Sequence, residues 1–442
     1  MIRAAAITLA GLVATGTAAA QTTPDTPAPP SDQTYAIHGQ ATFVAQGVGG
    51  FASPYAGTNS LTPHQVKETF DATAFIGVRP WRGAELWANP EIDQGFGLSN
   101  TLGAAGFPSA EAYKVGKASP YFRLQRLFFR QTIGLGGERQ AVDAAQNMLG
   151  GSHDANRIVL TIGKFGVGDV FDTNAYAHDP RGDFLNWSVV DAGTFDYAAD
   201  AWGYSYGVSG ELYTGPWTFR LGGFNLSKIP NGETLETGFG QYQVDAEVEH
   251  RHTVAGRAGA VRVTVFRNRG QFSRFDDAVA YALATGGPVD PVPTRRRLTR
   301  IGAQVNAEQA LTDTFGLFVR AGYADGSIEP YDFTDIDRTA QVGGALSGKG
   351  WGRTNDRVGL ALVVNGISAA HRRYLAAGGI GVLIGDGRLP DAGAEQIAEL
   401  YYDLAALKGI NLTLDAQHIA NPGYNRDRGP ANVLAVRLHG GF

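Results

Sequence analysis

The chain of 442 residues contains no cysteine. That excludes a disulfide framework, thiol catalysis and cysteine metal sites, and it suits an exported protein that does not depend on oxidation. Charge is also scarce: 18% of the residues are Asp, Glu, Lys or Arg, and the net charge of −5 is mild. A nucleic-acid partner is not expected, because phosphate binding calls for a basic surface. Beyond the N-terminus there is no run of 18 or more apolar residues, so no membrane-spanning helix is read. If the chain enters a membrane it must do so as a closed sheet, since backbone amides in hydrocarbon have to be satisfied internally. An H-E-x-x-H pair is missing and the histidines are scattered. Gly348-Lys349-Gly350-Trp351-Gly352 lacks the strand-to-helix setting of a phosphate loop and reads as a turn. Neither enzymatic activity nor a cofactor or metal is expected.

At the N-terminus, Arg3 precedes an apolar run from Ala4 to about Val13, and small residues follow to Ala18-Ala19-Ala20. This pattern predicts a secretory signal peptide over residues 1–20. Residues 21–34 are Pro- and Thr-rich and read as a leader. From residue 35 to 442, 60 glycines in the whole chain and an aromatic share of 10% fit many short strands and tight turns. No hydrophilic linker divides this region.

Several segments alternate with a period of two, which sends successive side chains to opposite faces. Phe70, Ala72, Ala74, Ile76 and Val78 share one face, continued after a turn near Pro80–Gly83 by Leu86, Ala88 and Ile92. Glu85, Trp87, Asn89 and Glu91 share the other. Trp202, Tyr204, Tyr206, Val208 and Leu212 form a further apolar set, and Gln243, Asp245, Glu247 and Glu249 a polar one. A polar face is wet in a soluble sandwich and equally wet in a barrel lumen, so alternation alone leaves both open. The last segment separates them. Leu434, Val436, Leu438 and the terminal Phe442 lie in one register, with Arg437 and His439 opposite, and a closing aromatic suits a lipid interface. The expected fold is all-β, a closed antiparallel transmembrane barrel with short loop helices over Glu138–Met148 and Phe275–Ala284. The basic run Arg295-Arg296-Arg297 reads as a solvated loop or rim patch, with a nucleic-acid or lipid-headgroup site as the alternative.

The resemblance to a known family rests on ordered motifs along nearly the whole region: Asn89-Pro90-Glu91 with Gln94–Ser99, Arg126–Gly136, Gly163-Lys164-Phe165 with Asp169–Asn174, His178-Asp179-Pro180-Arg181, Phe184-Leu185-Asn186-Trp187, Glu399–Tyr402 and Asp415–Tyr424. In these the chain resembles the carbohydrate-selective porins of the OprB type. The resemblance implies a sixteen-stranded barrel of the bacterial outer membrane that passes monosaccharides and related small solutes by passive diffusion. Small sugars are expected as solutes and outer-membrane lipid around the wall, with a handle for the barrel assembly machinery at Phe442 and a monomeric barrel. The loop with Arg295–Arg297 departs from the family pattern. A general porin without sugar preference is the second reading; an adhesin or hydrolase on a barrel scaffold is the third.

A sugar pore needs groups that replace part of the hydration of hydroxyls without holding the solute. Carboxylates accept from hydroxyls, guanidinium groups donate, and aromatic faces stack on a pyranose. Glu85, Trp87, Asn89 and Glu91, with Arg126 and Arg130 of one parity, form the expected solute-contacting set. Arg123, of opposite parity to Arg126, is expected at a rim. Asp169, Asp172, Asp179, Arg181 and Asp183 crowd one loop, which reads as salt-bridged and folded into the lumen, with a divalent-cation loop as the alternative.

Overall fold

The computed structural model describes residues 32–112 and 114–442. The signal peptide and most of the leader lie outside the described residues. The first strands are β1 (Tyr35–Val48), β2 (Gln65–Val78), β3 (Ala84–Gly95) and β4 (Lys117–Gly134), followed by a small hairpin of β5 (Arg139–Val142) and β6 (Gly151–Asp154). Next come β7 (Arg157–Phe165), β8 (Ser205–Thr214), β9 (Trp217–Asn225), β10 (Tyr242–Val254), β11 (Arg257–Phe272) and β12 (Arg296–Ala310). The chain closes with β13 (Phe315–Ala324), β14 (Arg338–Ser347), β15 (Arg357–Gly366), β16 (Glu395–Leu407), β17 (Ile410–Ala420) and β18 (Ala431–Gly441). The helices are short: α1 (Trp187–Val190), α2 (Phe275–Thr285) and α3 (Ala369–Ala376). Among the described residues, no helix is long and apolar enough to cross a membrane.

All strands except β5 and β6 form one closed barrel of 16, each antiparallel to its neighbours. Closure is made by β1 against β18, from Gln40 opposite Gly441 to Val48 opposite Val433. A closed sheet leaves no edge, which is what hydrocarbon requires. The ends differ. One carries tight turns, such as that joining β10 to β11, where Ala255 (φ 49°) and Gly256 (φ 77°) take the left-handed pair of a two-residue hairpin. The other carries long loops, and short turns mark the periplasmic end of such barrels.

The wall is greasy outside: Ile76, Leu86, Ile92, Val263, Leu362, Leu434, Val436 and Leu438 are exposed, while their chain neighbours toward the lumen are buried. The face assignments for β2, β3, β10 and β18 match the alternation. Trp202 and Tyr204 correct it. They precede β8, which begins at Ser205, and belong to a loop packed in the lumen rather than to a lipid-facing strand. Helix α2 forms where expected, but the Glu138–Met148 helix does not. Its residues enter the β5–β6 hairpin, because an isolated helix this short is marginal and the tip is bound elsewhere. Arg139 pairs with Asp154 at 3.0 Å, and Arg130 donates to Asn147 O at 2.7 Å.

Candidate functional site: a loop-narrowed eyelet

The segment between β7 and β8 does not stay at the mouth; it folds into the barrel and is tied to opposite walls. Glu399 accepts from the backbone N–H groups of Leu185 (2.5 Å) and Asn186 (3.1 Å). Arg320 donates to Val189 O at 2.8 Å and Ala177 O at 2.7 Å, and lies 3.4 Å from the Asp172 carboxylate. Arg300 meets Asp196 at 2.7 Å, and that carboxylate also accepts from the N–H groups of Tyr331 and Asp332 at 2.9 Å. Arg437 holds Pro180 O at 2.6 Å and Asp183 O at 2.8 Å. These arginines are fully buried. Buried guanidinium groups need partners; backbone carbonyls of the inserted loop supply most of them for Arg320 and Arg437, while Arg300 relies on Asp196 and the Asp325 carbonyl, and each keeps one nitrogen without a hydrogen bond among the described residues.

The loop leaves a cavity of about 190 Å³ with two unlike walls. One is aromatic: Phe107 stacks on Trp187 with centroids 5.2 Å apart and planes at 9°, and Tyr197 and Phe333 lie 5.6 Å and 5.9 Å from the Trp187 ring. The Lys114 ammonium sits 4.6 Å from the Phe333 centroid. Among the described residues, the buried Trp187 Nε1 has no hydrogen-bond partner. The other wall is charged but paired. Arg126 forks onto Asp169 at 2.6 and 2.7 Å, and Arg181 bridges Asp71 and Glu111, each at 3.2 Å. His178 faces Asp191 at 3.3 Å.

The loop carboxylates and His178 are shifted by these pairings. Burial pushes the Asp169 carboxyl up, but the charge and hydrogen bonds of Arg126 outweigh it and leave it below the usual range. Burial would lower His178, yet the hydrogen bond and charge of Asp191 push it up to about 9. The eyelet thus holds an imidazolium at neutral pH. Burial raises Glu111 well above the ordinary carboxyl value, with Arg181 opposing and Asp71 adding to the rise.

The expected contact set is divided by depth. Glu91 and Arg126 line the cavity. Glu85 and Arg130, 3.3 Å apart, stand toward the periplasmic end and hold the hairpin tip, with Leu149 N–H donating to Glu85 at 3.4 Å. Trp87 is fully buried; its ring covers Gly77, where a Cβ would come within 2.5 Å of it, and its Nε1 donates to Glu85 at 2.8 Å. Asn89 is buried in the wall between them. Arg123 is not at a rim. A bulge at Gln125, where Asn89 faces Arg126 but Pro90 faces Leu124, returns both arginines to the lumen side. Arg123 packs 3.3 Å from the Trp202 centroid and bonds Asp200 at 3.3 Å.

Asp169, Asp172 and Asp183 are engaged by Arg126, Arg320 and Arg357, and no group of carboxylates and histidines suited to a metal occurs among the described residues. The letters of a nucleophile elbow do occur at Gly203-Tyr204-Ser205-Tyr206-Gly207, but the segment runs from loop into strand, and Ser205 Oγ donates to Asn225 O at 2.5 Å. Trp187, Tyr197, His178 and Phe333 escaped the strand reading because loops carry no period. His178 and Trp187 stood in the motifs that carry the family resemblance, and the density of Asp and Arg between 169 and 183 marked their loop; Tyr197 and Phe333 had no advance signal.

The family model described as carbohydrate-selective porin, OprB family, matches residues 58–442. Among solved structures, the chain is similar to the high pH structure of Pseudomonas putida OprB, with 17% identity, a TM-score of 0.70, and coverage of 92% of this chain and 94% of that chain. The low pH structure of the same protein gives 13% identity and a TM-score of 0.50, over 92% of this chain and 93% of that chain. No curated protein sequence matches.

Proposed function

The chain belongs to the OprB family of carbohydrate-selective porins, outer-membrane channels rather than enzymes, and from that footing we propose that the eyelet is where a small neutral sugar or polyol is recognised on its way to the periplasm. The observation that carries this reading is the pairing of unlike walls. An aromatic surface of Phe107, Trp187, Tyr197 and Phe333 matches the apolar face of a pyranose. Opposite it, Arg126–Asp169, Arg181 among Asp71, Glu91 and Glu111, and His178–Asp191 present donors and acceptors that already pair with one another. Hydroxyl groups can exchange hydrogen bonds with such pairs without stripping water from a lone charge. Binding is then shallow enough for release, as conduction requires.

We assign Glu91 and Arg126 to solute contact, and read Glu85, Trp87, Asn89 and Arg130 as wall and brace. We read residues 1–20 as an export signal, 21–34 as a leader and 35–442 as the barrel domain. The route lies inside one chain, which supports a monomer as the working unit. Phe442 projects its ring over Gly39 at the short-turn rim, supporting contact with lipid and with the barrel assembly machinery. Liposome swelling across a panel of sugars tests the eyelet: Trp187→Ala should lower glucose uptake about tenfold relative to an unspecific solute of equal size, given about 1–1.5 kcal/mol for the stacking contact. Equal rates for both solutes in both proteins would favour the general-porin reading.

A further inference from the structure

We infer that the outer wall carries a binding site for the phosphate groups of an anionic glycolipid in the outer leaflet, formed by Arg267 and Arg269 of β11 and Arg297 of β12. On β11, Val261, Val263 and Val265 are exposed and alternate with buried neighbours, so the lipid-facing series continues upward into Arg267 and Arg269. On β12, the outward series Val305, Ala303, Ile301 and Thr299 ends in Arg297. The strands are in register: Arg269 faces Thr299, and Gln271 faces Arg297. With strands about 4.8 Å apart and a rise of about 3.4 Å per residue, Arg269 lies roughly 7 Å from Arg267 and roughly 8 Å from Arg297, while Arg267 and Arg297 are roughly 14 Å apart along the face. All sit at the long-loop end, just above the apolar belt, where headgroups of the outer leaflet lie.

What singles these residues out is their partners. The lumen arginines are matched by carboxylates or sunk among loop carbonyls, whereas these three meet only neutral acceptors. Arg267 donates to Tyr242 Oη at 3.3 Å, Arg269 to Thr299 Oγ1 at 3.0 Å and Arg297 to Gly240 O at 2.9 Å. None has a carboxylate within ion-pair distance among the described residues. Glu236 feels the charge of Arg297 without touching it, and accepts from the N–H groups of Gly238 (2.8 Å) and Gln241 (3.1 Å). With Arg338 of β14, these are the arginines on outward positions in the long-loop half of the described strands. Neutral hydrogen bonds aim the guanidinium planes but leave each without a carboxylate in contact, at a boundary where water thins out. A phosphate monoester supplies the missing charge and suits the forked donors. Beside them Phe239 is exposed next to Gly240, an aromatic at the level where such rings favour the interface.

Native mass spectrometry of the purified barrel in neutral detergent, titrated with diphosphoryl lipid A, tests this. Wild-type protein should retain the lipid, and the combined Arg267→Gln, Arg269→Gln, Arg297→Gln variant should lose roughly 100-fold in affinity, at about 1 kcal/mol per arginine near the surface. Lysine at the same positions should recover part of the loss. Equal retention by wild-type and glutamine forms overturns the inference, as does equal retention of lipid A stripped of its phosphates. Displacement by millimolar inorganic phosphate alone would make free phosphate the occupant and overturn the lipid assignment. Unchanged sugar swelling by the triple variant shows that it has folded; if it has not, the single substitutions, each expected to cost about fivefold, carry the same test.

Discussion

Glu91 and Glu85 stand on the same lumen face of β3, yet their surroundings differ. Glu91 sits in the wall of the eyelet, accepting from Thr73 and from Gln125 (3.0 Å), with Arg181 of the inserted loop 3.8 Å away. Glu85 is tied up by Arg130, Trp87 and the Leu149 amide near the short-turn end, where a hairpin rather than a long loop reaches inward. Strand parity made them equivalent; depth along the barrel did not. In the proposed reading Glu91 belongs to the filter because loops converge on it, and Glu85 braces the wall.

The contrast breaks most visibly if the inserted loop is released. Arg320→Ala leaves the Asp172 carboxylate buried without its ion-pair partner, at a cost of about 3–5 kcal/mol. Single-channel conductance in planar bilayers should rise severalfold and sugar preference should fall. Unchanged conductance would show that Glu399, Arg300 and Arg437 hold the eyelet without it.

A smaller effect is expected at the other end of β3. Glu85→Gln with Arg130→Gln removes a partly buried brace worth about 1 kcal/mol, so the melting temperature should fall slightly while glucose uptake stays as it was. Lost uptake would place the periplasmic end inside the filter and erase the distinction.

The smallest change concerns protonation. His178 is held at about 9, above its ordinary value, so its contribution to loop stability is fully present below about 6.5 and is lost as pH rises through 9. Between pH 8 and 10 the eyelet should lose one positive charge and its reversal potential should shift toward cations. His178→Asn should flatten that shift; a shift that persists in the variant would assign it to another group.

The arginine triplet at Arg295–Arg297 shows how the two levels of description divide. Sequence read it as one basic patch. In the structure Arg295 pairs with Glu329 at 2.9 Å, Arg296 with Asp277 at 2.7 Å, and only Arg297 turns to the outer wall without a carboxylate. Likewise the bulge at Gln125 undid the parity argument for Arg123, because one extra residue reverses every later side chain.

The sequence by itself determined which residues of β2, β3, β10 and β18 share a greasy face and which share a polar one. That follows because a period of two is a local property, written in each strand independently of the rest. Only the tertiary structure decided where the eyelet lies and that Trp187, Tyr197, His178 and Arg181 line it. Those side chains sit on loops without period, and their positions are fixed by bonds to strands far along the chain, from Glu399, Arg320 and Arg437, that no local pattern encodes.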